Sequence, residues 1–199
     1  MMRRVQRCAG ASAVLVLASA LAFAAPSGLR WDSPRQLPAA PPAATSTAGA
    51  TASAAFTPGQ ALPLVLETIR GARTSIVVAA YAFTSRPIAV ALRDAQRRGV
   101  QVRVVVDAGE ARHGDTAARF LANERVAVRL NARYALQHNK FMVVDGRTVQ
   151  TGSFNYTASA AQRNAENVLV LRNTPDVAAQ YEAQWRRLWE EGIDLPPAY

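Results

Sequence analysis

Gln137-His138-Asn139-Lys140-Phe141-Met142-Val143-Val144-Asp145-Gly146 decides how the rest of the chain is read. Phe141 to Val144 is apolar and partly β-branched, and Asp145-Gly146 is a turn dipeptide. The stretch therefore predicts a strand entering a hairpin. Residues two apart on a strand share a face, so His138 and Lys140 project together, a nucleophile or base beside a cation. Asp145 lies an odd number of residues from both and is expected to anchor the turn. The return strand, Arg147 to Gly152, delivers Ser153 and Asn155, again two apart, within Gly152-Ser153-Phe154-Asn155-Tyr156-Thr157, and Glu166-Asn167 follows. Lys140 is the only lysine in the chain and the other 22 basic residues are arginine, so a compact ammonium is wanted here. His138 is one of two histidines.

Length and composition set the frame. The chain has 199 residues, half of them apolar, which is enough for one domain with a sizeable core. Residues 1–25 read as a secretory signal. Arg3, Arg4 and Arg7 precede the apolar run Ala11 to Phe23, and Ala22-Phe23-Ala24 is a small-x-small cleavage site. The rival, an uncleaved anchor, has a short apolar run for spanning a bilayer. Cys8 leaves with the leader, so the exported protein, periplasmic or secreted, is expected to have neither a disulfide nor thiol chemistry. Residues 26–55 are rich in Pro, Ala, Ser and Thr and read as a flexible linker. The net charge is +9, about +6 without the leader. That surplus favours a polyanion, nucleic acid or an anionic lipid surface, without choosing between them.

A folded domain is expected over residues 56–195. Leu62, Val65, Leu66 and Ile69 recur at helical spacing over 61–72, and Ser75–Tyr81 reads as a buried strand. Ser85 with Pro87 opens a helix that stops at Gly99, and Val100–Asp107 is a strand. This β-α-β unit implies parallel pairing with a right-handed crossover. A short helix over 115–123, a strand over 126–130, the motif hairpin, a short helix near 158–163 and a strand over 167–172 follow. Thr174 and Pro175 open a last helix that runs to Glu191 and carries Tyr181, Trp185 and Leu188 on its apolar face. The fold class is α/β: a mixed, mostly parallel sheet with helices on both faces.

His-x-Lys-x4-Asp followed by Gly-Ser-x-Asn, complete here as His138, Lys140, Asp145, Gly152, Ser153 and Asn155, resembles the HKD motif of the phospholipase D superfamily. The motif region spans 132–159. The run from Phe56 to Trp189, with Tyr81-Ala82-Phe83-Thr84 and Glu166-Asn167-Val168, resembles the small single-motif bacterial periplasmic endonucleases of that superfamily. The resemblance implies the same phospholipase D-like fold. It also implies that Glu166 orients the histidine nucleophile.

The residues support a two-step chemistry. His138 attacks phosphorus to give a phosphohistidine, and water then releases it. The departing alcohol needs a proton from a second imidazole. Lys140 and Asn155, with Ser153, are suited to the phosphoryl oxygens. Gly152 and Asp145 are structural members of the motif. Larger superfamily members carry two motifs and this chain carries one, so the resemblance implies a homodimer with one His138 from each subunit at a two-fold axis. His113, in a polar loop, is either a solvated residue or a substrate contact at the cleft rim. Arg112, Arg119 and Arg133 are candidates for a phosphate-binding rim. Trp185 and Trp189 are expected to pack in the core or at an interface, and Phe154 and Tyr156 in the core, with stacking of one of them on a substrate group as the alternative. With no Cys in the domain, no His pair at ligand spacing and no dense carboxylate cluster, neither a metal nor another cofactor is expected. Small size, one motif and basic charge favour a metal-independent, nonspecific endonuclease working as a homodimer. The alternatives are a phospholipase D acting on lipid headgroups by the same chemistry and a noncatalytic nucleic-acid-binding protein, against which the intact His138, Lys140, Asn155 and Glu166 argue.

Overall fold

The computed structural model describes residues 49–112 and 117–198, without the Arg112 side chain, and these lie in one compact unit. The expected leader, His113 and the linker up to residue 48 fall outside the described residues. In order come β1 (Thr51–Phe56), α1 (Ala61–Arg70), β2 (Ser75–Ala80), α2 (Arg86–Arg97) and β3 (Gln101–Asp107). A 3-10 turn (Glu110–Arg112), α3 (Ala117–Asn123), β4 (Ala127–Asn131), β5 (Lys140–Val144) and β6 (Thr148–Gly152) follow. The chain ends with α4 (Ala158–Gln162), β7 (Asn167–Arg172), α5 (Pro175–Glu190) and β8 (Ile193–Asp194). No helix among the described residues is long and apolar enough to cross a membrane.

The strands form one sheet in the order β1-β7-β6-β5-β2-β3-β4-β8. It is mixed, as expected, but not mostly parallel. Only β2–β3 and β3–β4 pair in parallel, and the other five pairings are antiparallel. The parallel pairs are the ones with a helical crossover, which a parallel connection needs; the motif hairpin can only return antiparallel. β1 also corrects the expected boundary. The linker assigned to 26–55 gives way to a strand at Thr51, whose small residues pair with β7 over Thr51↔Arg172 to Phe56↔Asn167. An edge strand held by backbone hydrogen bonds needs few large side chains, so composition hid it.

Period-two alternation sorts the sheet into two faces. On β5, Met142 and Val144 join the core under α1, α2 and α3, while Phe141 and Val143 join a second core under α5. Helices thus cover both faces, as expected. Trp185 is 3% exposed, donates from Nε1 to the Val78 carbonyl at 2.9 Å, and stacks on Trp189 at 5.0 Å. Phe154 and Tyr156 are fully buried, and the Tyr156 hydroxyl donates to Gln150 Oε1 at 2.6 Å. Thr174 sits at the start of α5 but makes no side-chain cap bond; its Oγ1 is buried without a partner, while its backbone N–H donates to the Arg147 carbonyl.

Asp145 ties the hairpin to the chain that enters β2. Its Oδ1 accepts from the N–H groups of Arg73, Thr74 and Ser75 at 3.2, 2.7 and 3.0 Å and from Thr74 Oγ1 at 2.9 Å; Oδ2 accepts from Arg73 N–H at 3.0 Å. Asp145 and Gly146 both take positive φ (54° and 62°), which an Asp-Gly turn tolerates. Partial burial raises the Asp145 pKa, but the hydrogen bonds from Ser75, Thr74 and Arg73 outweigh it and leave the group below its ordinary 3.8. Asp145→Asn is expected to lose about 1–3 kcal/mol at pH 7, because an amide N–H would face donors. A depressed carboxylate stabilises above its unfolded pKa and loses that contribution as pH falls through its folded pKa. Urea unfolding of both proteins should show the gap narrowing as pH falls below 3.8; a gap that stays constant would mean the carboxylate charge is not what holds the turn.

Candidate active site

The C-terminal ends of β1, β2, β3, β4 and β6 and the starts of β5 and β7 meet at one end of the sheet, as the pairings require. Open α/β sheets bind ligands outside the carboxyl ends of their parallel strands. His138, Lys140, Ser153, Asn155 and Glu166 all lie at this end. Asp145 does not, since it closes the hairpin at the opposite end.

Lys140 is the first residue of β5, 8% exposed, and faces Ala80 of β2. Its Nζ donates to the His138 carbonyl at 2.8 Å and lies 5.1 Å from the centre of the Tyr81 ring. Burial lowers the Lys140 pKa below 10.5, and the charge of Glu166 partly offsets this. His138 precedes β5 rather than lying on it, and it is exposed. Its ring meets the Tyr81 ring at 4.5 Å and 58°, and among the described residues it makes no hydrogen bond.

The segment carrying His138 is held by its neighbours. Asp107, at the end of β3, accepts from Gln137 N–H at 2.8 Å and from Glu110 N–H at 3.0 Å. Gln137 is buried; it donates to the Ala80 carbonyl, and its Oε1 accepts from the backbone and side-chain nitrogens of Asn139, each at 2.9 Å. The His138 ring is therefore a free group between two fixed residues. Sequence reasoning missed Asp107 and Gln137 and quoted Tyr81 without a role. An acid closing an apolar strand at the carboxyl end of a parallel sheet was the available signal for Asp107.

The second motif block is equally constrained. Gly152 takes φ 147°, and a Cβ there would collide with the Asn167 carbonyl, so only glycine lets β6 approach β7 this closely. Ser153 Oγ donates to Glu166 Oε2 at 2.6 Å and accepts from Asn167 N–H at 3.1 Å. Glu166 Oε1 accepts from Asn164 Nδ2 at 2.9 Å, and the Glu166 N–H donates to Thr57 Oγ1 at 2.8 Å. The expected bond from Glu166 to His138 is thus replaced. Glu166 opens β7 beside the end of β6, and Ser153 and Asn164 occupy its two oxygens. Asn155 Oδ1 is buried with no partner among the described residues, the state of an acceptor kept for a bound group.

Of the candidate rim arginines, the Arg112 side chain lies outside the described residues. Arg119 donates to the Pro196 carbonyl at 2.9 Å, and Arg133 lies exposed in the loop before His138. Among the described residues, no group of three His, Cys, Asp or Glu side chains stands close enough to hold a metal.

Residues 65–189 match the family described as cardiolipin synthase, PLD-like domain. The chain belongs to the phospholipase D superfamily. It is 36% identical over 134 residues to a phospholipase D of Rickettsia bellii, covering 67% of this chain and 66% of that protein. It is 39% identical over 127 residues to a mitochondrial cardiolipin hydrolase of Xenopus laevis, covering 64% and 60%. The chain thus spans just under two thirds of the length of these relatives. Among solved structures it is similar to the phospholipase D family member Nuc of Salmonella typhimurium, at 36% identity and a TM-score of 0.71, covering 74% of this chain and 99% of that one.

Membership gives the geometry around Tyr81 a consequence. Its ring touches both the imidazole and the ammonium of the motif, so it is a positioning residue. Desolvation first, then Glu110 and Asp107, raise its phenol pKa. Tyr81→Phe keeps the ring and should hold kcat on bis(p-nitrophenyl) phosphate within about threefold, whereas Tyr81→Ala should lower kcat about ten- to a hundredfold with little change in KM. Equal losses in the two variants would assign the effect to the hydroxyl instead.

Proposed function

We propose that this protein is an exported phosphodiesterase that hydrolyses nucleic acid through a phosphohistidine on His138. The observation that carries this is the exposed, unbonded imidazole of His138 beside a buried ammonium, with the unpartnered Asn155 Oδ1 at the same end of the sheet. In the first step His138 forms a nitrogen–phosphorus bond as the phosphorus–oxygen bond to the leaving alcohol breaks, and a protonated imidazole gives that alcohol its proton. In the second step water attacks phosphorus, the same imidazole takes the water's proton, and the His138 nitrogen leaves. The Lys140 ammonium and the side-chain N–H of Asn155 stabilise the charge on the phosphoryl oxygens.

The motif occurs once in this chain, so the acid is supplied by His138 of a second copy across a two-fold axis. Phe56 (64% exposed) and Leu136 (56% exposed) support this, since both are large apolar side chains at the catalytic end. Small size, a single motif and the cationic surplus together favour nucleic acid as substrate. A lipid-headgroup substrate is the second reading, favoured by the names of the Rickettsia and Xenopus relatives and by the same exposed apolar pair.

The protein is expected to cut plasmid DNA in excess EDTA, and His138→Ala is expected to be inactive. If wild type leaves nucleic acid intact yet hydrolyses cardiolipin or phosphatidylcholine vesicles, the lipid reading replaces this one. Leu136→Glu is expected to sediment as a monomer and to lose cleavage of small phosphodiesters. A monomer with undiminished activity would end the shared-site reading.

A further inference from the structure

The surplus charge of the domain is not at the catalytic end. Among the described residues the connections there carry Asp107, Glu110 and Glu166 against Arg86, Arg133, Lys140 and Arg163, a near balance. At the opposite end, where α1, α2, α3, β5 and β7 finish, the balance differs. Arg70, Arg73, Arg98, Arg125 and Arg147 are all exposed there, and none has a carboxylate partner among the described residues.

The carboxylates at that end are mostly engaged. Glu67 pairs with Arg172 at 2.9 Å, Glu124 pairs with Arg97 at 2.8 Å, and Asp145 is held by backbone N–H groups. Glu182 lies beside Gly146, and Asp176 is exposed in the first turn of α5. The arginines form a continuous patch. Arg98 donates to the Arg70 carbonyl, and Gln96 of α2 donates to the Arg125 carbonyl. Arg73, Arg147 and Arg172 line a groove of about 340 Å³ together with Thr148 and the engaged carboxylates of Glu67 and Asp145.

Resting on the nucleic-acid reading above, we infer that this end is a second binding surface for the phosphate backbone of a long nucleic acid, remote from the site of cleavage. Guanidinium forks matched to phosphate oxygens and an open groove suit a phosphodiester chain. If charge is what draws nucleic acid to this protein, the attraction acts here. Strands of this sheet span roughly 20 Å, so a polymer must be at least about one helical turn long to touch both ends. A dinucleotide-sized substrate reaches the catalytic end alone. The surface is thus a device for selecting long substrates and needs no residue of the catalytic machinery.

The test uses the full-length chain with Arg73→Ser, Arg98→Ser and Arg147→Ser combined, and a second variant with lysine at the same three positions. Cleavage of bis(p-nitrophenyl) phosphate is expected to stay within about twofold of wild type in both. For duplex DNA of several hundred base pairs, KM is expected to rise at least about tenfold in the serine variant and to recover with lysine. Binding measured in the His138→Ala background should show the slope of log affinity against log salt reduced by about 2–3 in the serine variant. An unchanged slope and KM in a serine variant that still cleaves the small diester would overturn the inference while leaving the proposed chemistry intact. So would a serine variant that differs from wild type only in sedimenting with phosphatidylglycerol vesicles, since the surface would then serve a membrane. A wild type that cleaves the small diester but neither cuts nor binds DNA would remove the substrate reading and this surface together.

Discussion

The carboxylate of Asp145, closed around three successive backbone N–H groups, is the constraint on which the site depends. It joins the β5–β6 hairpin to the residues that lead into β2, at the end of the sheet remote from the chemistry. With Asp145 bound there, β5 has one register against β2, from Ile76↔Val144 to Ala80↔Lys140. A slip of one residue would turn Lys140 to the other face and drive Phe141 and Val143 out of the core under α5. The acid of the motif thus sets, one strand length away, where the ammonium and imidazole of the motif stand.

Much of this was legible because the informative residues were chemically distinctive. A single lysine in an arginine-rich chain, an Asp-Gly turn and a glycine before Ser153 each have a local physical reason that survives without tertiary context. Asp145 was assigned to the turn from its odd spacing alone, and its hydrogen bonds show how it does so. What stayed hidden depended on long-range pairing. β1 is built of residues that read as linker until β7 lies beside them. The antiparallel majority of the sheet followed from where β5 inserts, which no local pattern encodes. The partners of Glu166 were misjudged for a related reason: the closeness of Ser153 and Asn164 arises from the β6–β7 approach that Gly152 permits.

The two ends of the domain are built on different physics. At the catalytic end the polar side chains are committed to one another, through Asp107 with Gln137, Gln137 with Asn139, and Ser153 with Glu166. Few groups are left over, notably the His138 ring and the Asn155 oxygen. Such a network holds its geometry without offering a long-range field. At the far end the guanidinium groups are exposed and largely uncommitted, an arrangement that fixes no geometry but projects charge into solvent. Net charge read from sequence cannot distinguish these cases, because it sums over both ends.

The direction of β1 has a practical corollary. Thr51 pairs with Arg172 and Phe56 with Asn167, so the chain enters the sheet at the arginine-bearing end and travels toward the catalytic one. A bead, affinity handle or fluorophore attached ahead of Thr51 would therefore hang from the base of the domain and leave the catalytic mouth facing outward. The same attachment would crowd the cationic base, so an immobilised preparation should be trusted for work on small diesters and mistrusted for work on long polymers.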